Sequence, residues 1–202
     1  MKILAVSDEV VGFLYSPAVR ERFAAVDLLL GCGDLPAGYL EYLVTQLNVP
    51  LFYVPGNHDP DDFQVPGGTP IDGRVVRHES LRIAGLGGSL RYKLDGRHQY
   101  TQGQMRWRCG ALLAAAFAGR GAGGAGIDIF ITHAPPSGVH EGPDPVHRGF
   151  SAFHSLLRLA RVGLMVHGHS HIHANVDKSE TMLDGARVLN VFPYRLVEFE
   201  AS

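Results

Sequence analysis

The chain opens on an apolar run, Lys2-Ile-Leu-Ala-Val-Ser7, cut off by polar residues, which reads as a short strand buried on both faces. Ser16-Pro17 then offers an N-cap and a proline at the first helical position, so a short helix is expected over Ala18 to Phe23. A second apolar run, Asp27 to Leu30, closes in Gly31-Cys-Gly33-Asp34. After it Tyr39, Leu40, Leu43, Val44 and Leu47 recur at helical spacing, and Leu51-Phe-Tyr-Val54 forms a third strand stopped by Pro55-Gly56. Strand, helix, strand, helix, strand predicts parallel strands joined by helical crossovers.

The middle of the chain is less regular. Arg74 to Arg77 and Leu81 to Leu86 read as short strands, Gly85-Leu-Gly-Gly-Ser89 as a tight or ligand-facing loop, and residues 91 to 103 as an exposed polar excursion before a helix through Trp107 to Phe117. Gly119-Arg-Gly-Ala-Gly-Gly124 spells G-x-G-x-x-G, but a helix precedes it and the strand Ile127 to Ile131 follows. A dinucleotide turn runs the other way, from strand to helix, so a flexible connector is the better reading. A helix from Ser151 to Ala160 leads to a strand from Gly163 to Val166. The tail, Val176 to Leu183, Asp184-Gly185, Ala186 to Val191 and Leu196 to Phe199, reads as an antiparallel ending.

In parallel sheets, ligands bind beyond the carboxyl ends of the strands. Here five successive strand ends carry Asp8, Asp34, Asn57-His58, His133 and His169-x-His171. Carboxylate, amide oxygen and imidazole together suit Mn, Fe, Zn or Ni better than an all-oxygen calcium site, and the lack of thiolates argues against a structural zinc. His at i and i+2 on an extended segment point to opposite sides, so His169 and His171 can share a site only if the segment turns, which Gly168 permits. Each residue also has a plainer reading: Asp34 as a helix cap, Asn57 as half of a turn pair, His133 as a satisfied strand-end histidine. Their joint placement at strand ends outweighs these.

Composition narrows the partners. The chain has 202 residues, 18 Lys+Arg against 20 Asp+Glu, and 11 His, eight of them after residue 130. A balanced charge argues against an electrostatic nucleic-acid or membrane partner. One domain over residues 1–202 is the expectation at this length. Two cysteines, Cys32 and Cys109, are too few for a disulfide framework, and no run nears the roughly 20 residues of a membrane span, so a cytoplasmic protein is expected.

Gly33-Asp34, Gly56-Asn57-His58-Asp59, Thr132-His133 and Gly168-His169-Ser170-His171, in this order and at strand ends, resemble the calcineurin-like metallophosphoesterase superfamily over nearly the whole chain. The resemblance implies an α/β fold, a two-sheet β-sandwich of mixed parallel and antiparallel strands flanked by helices, and hydrolysis of a small phosphodiester or organic phosphate with two divalent metals. It implies that Asp34 bridges the metals, that Asn57, His133 and His169 complete one site, and that Asp8 and His171 belong to the other. His58 would sit by the phosphate as charge stabiliser or leaving-group acid, with Asp59 orienting it. His147 and Arg148, in the loop 140–149, and Ser89 are the candidate substrate contacts.

One departure stands out. The family begins with Asp-x-His, and here the stretch is Asp8-Glu9-Val10. Val10 cannot bind a metal, so the second site is expected to be weak or completed by a substitute: water, Glu9, His147 or His173. The competing reading is a non-catalytic interaction protein on the same fold, like the retromer subunit that resembles a phosphoesterase. Retention of His58 and of all but one ligand position favours the enzyme.

Overall fold

The central strands are covered on both faces, which is why they read as unbroken apolar runs. The computed structural model describes residues 1–118, 126–171 and 179–200. In the front sheet β1 (Lys2–Val6), β2 (Leu28–Gly31), β3 (Leu51–Tyr53) and β4 (Gly68–Pro70) are parallel neighbours, and β13 (Tyr194–Glu198) lies antiparallel against β1. The rear sheet has the order β11 (Glu180–Leu183), β12 (Ala186–Asn190), β10 (Leu164–His167), β9 (Ile129–Thr132), β6 (Leu81–Leu86), β5 (Val75–His78). A two-residue pair, β7 (Ser89–Leu90) with β8 (Gln99–Tyr100), stands apart.

Alternation along each strand sorts its side chains between two layers. Ile3 and Ala5 of β1, Leu28 and Leu30 of β2, Ile129 and Ile131 of β9, and Leu164 and Val166 of β10 meet in one buried cluster between the sheets. The intervening Leu4, Val6 and Leu29 pack outward with residues of α1 (Ala18–Arg22) and α2 (Ala37–Leu47). Phe130 and Met165 pack outward with α3 (Gln102–Ala118) and α4 (Ala152–Leu159). The result is the expected α/β sandwich of two mixed sheets flanked by helices.

The tail is antiparallel as expected, β11 against β12 and β13 against β1, while the centre of the rear sheet, through β6, β9, β10 and β12, is parallel. Other expectations need correction. Ser16 does not cap α1, because its hydroxyl donates to Phe13 O at 2.7 Å. The segment 91–103 is not a free excursion: Gln99 is buried and its Oε1 accepts from the backbone N–H of Tyr92 and Lys93, folding the loop onto the body. The Gly119 to Gly124 segment, His173 and the expected start of the last hairpin at Val176 lie outside the described residues.

Removing methylenes from the layer between the sheets leaves a cavity that packed strands cannot close. Ile83→Ala, at a fully buried position of β6, is expected to cost about 2–5 kcal/mol, lowering Tm by roughly 2–4 °C per kcal/mol. Trp107→Ala, on the exposed face of α3, should stay within about 0.5 kcal/mol of the parent. Thermal unfolding monitored by circular dichroism checks both.

Candidate metal centre

Because β1, β2 and β3 are parallel in one sheet and β9 and β10 in the other, the loops that follow these five strands meet along one edge of the sandwich. Three of the candidate ligands occupy left-handed backbone there: Asp8 (φ 64°), Asp34 (φ 56°) and His169 (φ 65°). That conformation disfavours non-glycine residues by about 1–2 kcal/mol each, and it turns each side chain off the strand direction into the space between the sheets. The turn that brings His169 and His171 together therefore falls at His169 itself. Gly168 is required for a different reason: a Cβ there would land on the Ser7 hydroxyl and the Asp8 carboxylate. At Gly56 a Cβ would likewise strike the Asp34 carboxylate.

Among the described residues, Asp8, Asp34 and His133 bring donor atoms within 4.8 Å of one another. His133 is wholly buried. Its Nδ1 faces Cys32 O at 2.8 Å, and a carbonyl only accepts, so Nδ1 carries hydrogen. Its Nε2 faces Asn57 Oδ1 at 3.1 Å and Asp34 Oδ2 at 3.3 Å. Two oxygen acceptors and a ring nitrogen thus converge, and only a cation, a proton on Nε2 or a metal ion in its place, reconciles them. By their chemistry these donors fit a divalent transition metal.

The electrostatics follow from that convergence. Burial would raise the Asp34 carboxyl, but the His133 imidazolium and the His58 backbone N–H, 2.8 Å from Oδ1, hold it down to about 2. Burial would lower His133, but Asp34 overrides it and raises the imidazole to about 9. Asp8 is also lowered against its burial, through His171, His133, the Ser7 hydroxyl and the His169 backbone N–H at 2.9 Å. One Asp8 oxygen is spent on that N–H, and the other faces His171 Nε2 at 3.7 Å. His169 Nε2 lies 3.0 Å from Val146 O, to which it donates, leaving Nδ1 with the free lone pair. The ring centres of His133 and His169 are 4.7 Å apart.

The remaining predicted residues divide. His58 is exposed at the rim, its Nε2 3.9 Å from Asp34 Oδ2, beside a cleft of about 370 Å³ that Leu35, Pro36, Pro60 and Phe63 also line. Asp59 does not orient His58. It is buried, and its Oδ2 accepts from the backbone N–H of Gly56 at 2.7 Å and of Asp34 at 2.9 Å, so it fixes the two ligand loops against each other. Ser89 is not a substrate contact: it is fully buried, with its hydroxyl on Leu90 O. Arg148 is exposed at the end of a 3₁₀ turn, Pro145–His147. His147 lies over the centre, its ring 4.9 Å from His169 and 6.2 Å from His171. Val10 is 39% exposed and offers no donor. Glu9 is exposed and outside the converging group. Tyr92 was not foreseen. Its hydroxyl accepts from Asn57 Nδ2 at 3.3 Å, which commits Asn57 Oδ1 to the centre.

A family model described as calcineurin-like phosphoesterase matches residues 1–173. The chain belongs to the calcineurin-like phosphoesterase family. Members of this family are generally metal-dependent hydrolases of phosphate esters. One crystal structure superposes with a TM-score of 0.69 at 15% identity, over 97% of this chain and 94% of its own. The crystal structure of TT1561 of Thermus thermophilus superposes with a TM-score of 0.64 at 16% identity, over 94% of this chain and 88% of its own. At that identity the likeness is one of fold. No curated protein sequence matches. In this calcineurin-like chain no helix among the described residues is long and apolar enough to cross a membrane.

The Asp34–His133 pair makes the metal-free phosphoesterase pH-sensitive. Because the folded His133 value lies above its ordinary 6.5, its stabilisation is complete below pH 6.5 and is lost as pH rises through about 9. Because the folded Asp34 value lies below its ordinary 3.8, its stabilisation is complete above that pH and is lost as pH falls through about 2. Melting of the chelator-treated protein should decline from pH 6.5 to 9 through this pair, and should also fall as pH drops below 6.5, where the lowered His167 (about 3) and His140 (about 4) favour the protonated, unfolded chain. Asp34→Asn should flatten the alkaline decline; a decline as steep as the parent's would show that the pair does not cause it.

Proposed function

We propose that this protein is a metal-dependent phosphodiesterase, with two divalent transition metals held by Asp8, Asp34, Asn57, His133, His169 and His171. Asp34 stands between the two ligand groups, as a carboxylate with two oxygens can. Bound there, such ions supply a water deprotonated near neutral pH and positive charge against the phosphate oxygens. The observation that carries the reading is the convergence of Asp34 Oδ2, Asn57 Oδ1 and His133 Nε2 on one point.

The chain's own groups do the rest. Tyr92 and Cys32 O fix the Asn57 amide and the His133 ring, so no side chain needs to reorganise when a substrate arrives. His58, on the open side of Asp34, is placed to donate a proton to the leaving oxygen. Arg148, on the exposed loop, is available to the outer phosphate oxygens. A diester is favoured over a monoester because clefts lie on both sides of the centre: one beside His58, and one of about 270 Å³ bounded by Glu141, Asp144, His147 and His171. A diester has a substituent for each. The substrate is a small phosphate ester, and the neutral charge balance of the chain argues for neither a polynucleotide nor a membrane surface.

Hydrolysis of bis-p-nitrophenyl phosphate and p-nitrophenyl phosphate by chelator-treated protein, titrated with Mn, Fe, Zn or Ni, tests this reading. Metal-dependent turnover with the diester preferred is expected. Asp34→Asn should abolish it, and His58→Ala should lower kcat by roughly 10²–10⁴-fold while leaving metal binding intact. Turnover no higher than that of Asp34→Asn with every metal would refute the enzyme, and a preference for the monoester would refute the diester assignment.

A further inference from the structure

The two sides of the centre are not equally furnished. On one side Asp34, Asn57, His133 and His169 offer four side-chain donors. On the other, Asp8, Asp34 and His171 offer three. The unmatched side faces the 270 Å³ cleft, and into that cleft projects an imidazole the proposed chemistry does not use.

That imidazole is His147. Asp144 accepts at Oδ1 from the backbone N–H groups of Val146 and His147, at 2.9 and 3.2 Å, which closes the 3₁₀ turn. Its Oδ2 lies 2.7 Å from His147 Nδ1 and accepts the proton there. A carboxylate on one imidazole nitrogen fixes the tautomer and leaves the other nitrogen as a basic lone pair, which is how metal-binding histidines are held. No side-chain partner occupies His147 Nε2 among the described residues. The loop that carries it is anchored at both ends. Glu141 Oε1 accepts from Gly149 N at 2.7 Å. His140 Nδ1 lies 2.9 Å from His167 Nε2, with His140 Nε2 3.1 Å from the Thr181 hydroxyl, which ties the loop to β10 and β11.

The spacing fits. Two imidazoles on one ion, with metal–nitrogen bonds of roughly 2 Å, hold their ring centres about 4.5–5.5 Å apart, and up to about 6.5 Å where the angle between them opens. His133 and His169, at 4.7 Å, meet that condition for the first position. His147 stands 4.9 Å from His169 and 6.2 Å from His171, so ring spacing admits it to either position, and the count of donors, four against three, assigns it to the second.

We propose that His147, oriented by Asp144, supplies through Nε2 the fourth side-chain ligand of the second metal position, beside Asp8, Asp34 and His171. The inference rests on the metal centre of the proposed function, but not on its being hydrolytic. It makes the loop 140–149 part of the centre, and it places the missing imidazole at a site distant in sequence from position 10.

The test counts metal ions. Chelator-treated protein is titrated with Mn(II) by calorimetry, and bound Mn(II) is counted by electron paramagnetic resonance, for the parent, His147→Ala, His147→Gln and Asp144→Asn. The parent should bind two ions per chain, with a spin-coupled spectrum. Both His147 variants should keep one ion and bind the second at least tenfold more weakly, and Asp144→Asn should weaken the second by roughly 10–100-fold. Two ions bound by both His147 variants with parental affinity would overturn the proposal, as would one ion in the parent or loss of both ions in the two variants alike. A raised KM with unchanged metal binding would make His147 a substrate contact instead. Two ions in the parent without hydrolysis of either ester would leave this proposal standing and the hydrolase reading refuted.

Discussion

The contact between Asp34 and His133 is the constraint around which this edge of the molecule is built. It joins the end of β2 in the front sheet to the loop after β9 in the rear sheet, at a point where His133 has no solvent at all. A carboxylate buried without a counter-charge would cost several kcal/mol, so the fold is committed to a positive group at that point. In the metal-free protein the group is the His133 proton. Everything near it is arranged around the same need: Cys32 O takes one ring hydrogen, Asn57 turns its oxygen inward, and the His58 backbone N–H satisfies the second Asp34 oxygen. A divalent ion held there would replace one proton with two charges.

Around that pair, backbone groups rather than side chains set the precision. Asp59 accepts from the N–H of Gly56 and of Asp34, and desolvation raises its carboxyl despite those two bonds. Its work is to hold the loop after β3 against the loop after β2. Asp8 does the same across the sheets by accepting from His169 N, with Ser7 on the same oxygen. The strain of the three left-handed turns is offset by bonds between loops, within the front sheet for Asp34 and across the two sheets for Asp8 and His169. The site and the sandwich are therefore one cooperative unit.

What the sequence revealed follows from this physics. Strands covered on both faces must be apolar throughout, so β1, β2, β3, β9 and β10 stood out, and a ligand directly after each was visible by position alone. Elements without that cover were not. β4 is an edge strand ending in proline, and β7 and β8 are two residues each; neither leaves a periodic trace. The strand order of the rear sheet was not legible, because an apolar run does not name its neighbour. Asp59 looked like a partner for His58 through adjacency, yet the turn between them sends the two side chains apart. Tyr92 lies 35 residues from Asn57 in a polar stretch, and only the Gln99 side chain folding back on that stretch delivers it. Ser89 follows a strand as the candidate ligands do, but it lies in β7 itself and is buried there.

The histidine enrichment resolves into two electrostatic regimes that share one degree of burial. His133 and His167 are both fully buried, yet one is raised to about 9 and the other lowered to about 3. Burial disfavours the cation in both; the difference lies in what each ring faces. His133 faces a carboxylate. His167 faces His140 on one nitrogen and donates to Gly168 O from the other, and His140, itself lowered to about 4 by burial and by Arg195, accepts from Thr181. That chain of bonds, hydroxyl to imidazole to imidazole to carbonyl, is complete only when both rings are neutral. It thus anchors the loop 140–149 with groups that keep one protonation state across the neutral range. A loop that was itself held by a titrating pair would loosen as pH crossed that titration, and Val146 O and His147 could not then keep their places beside His169 and His171.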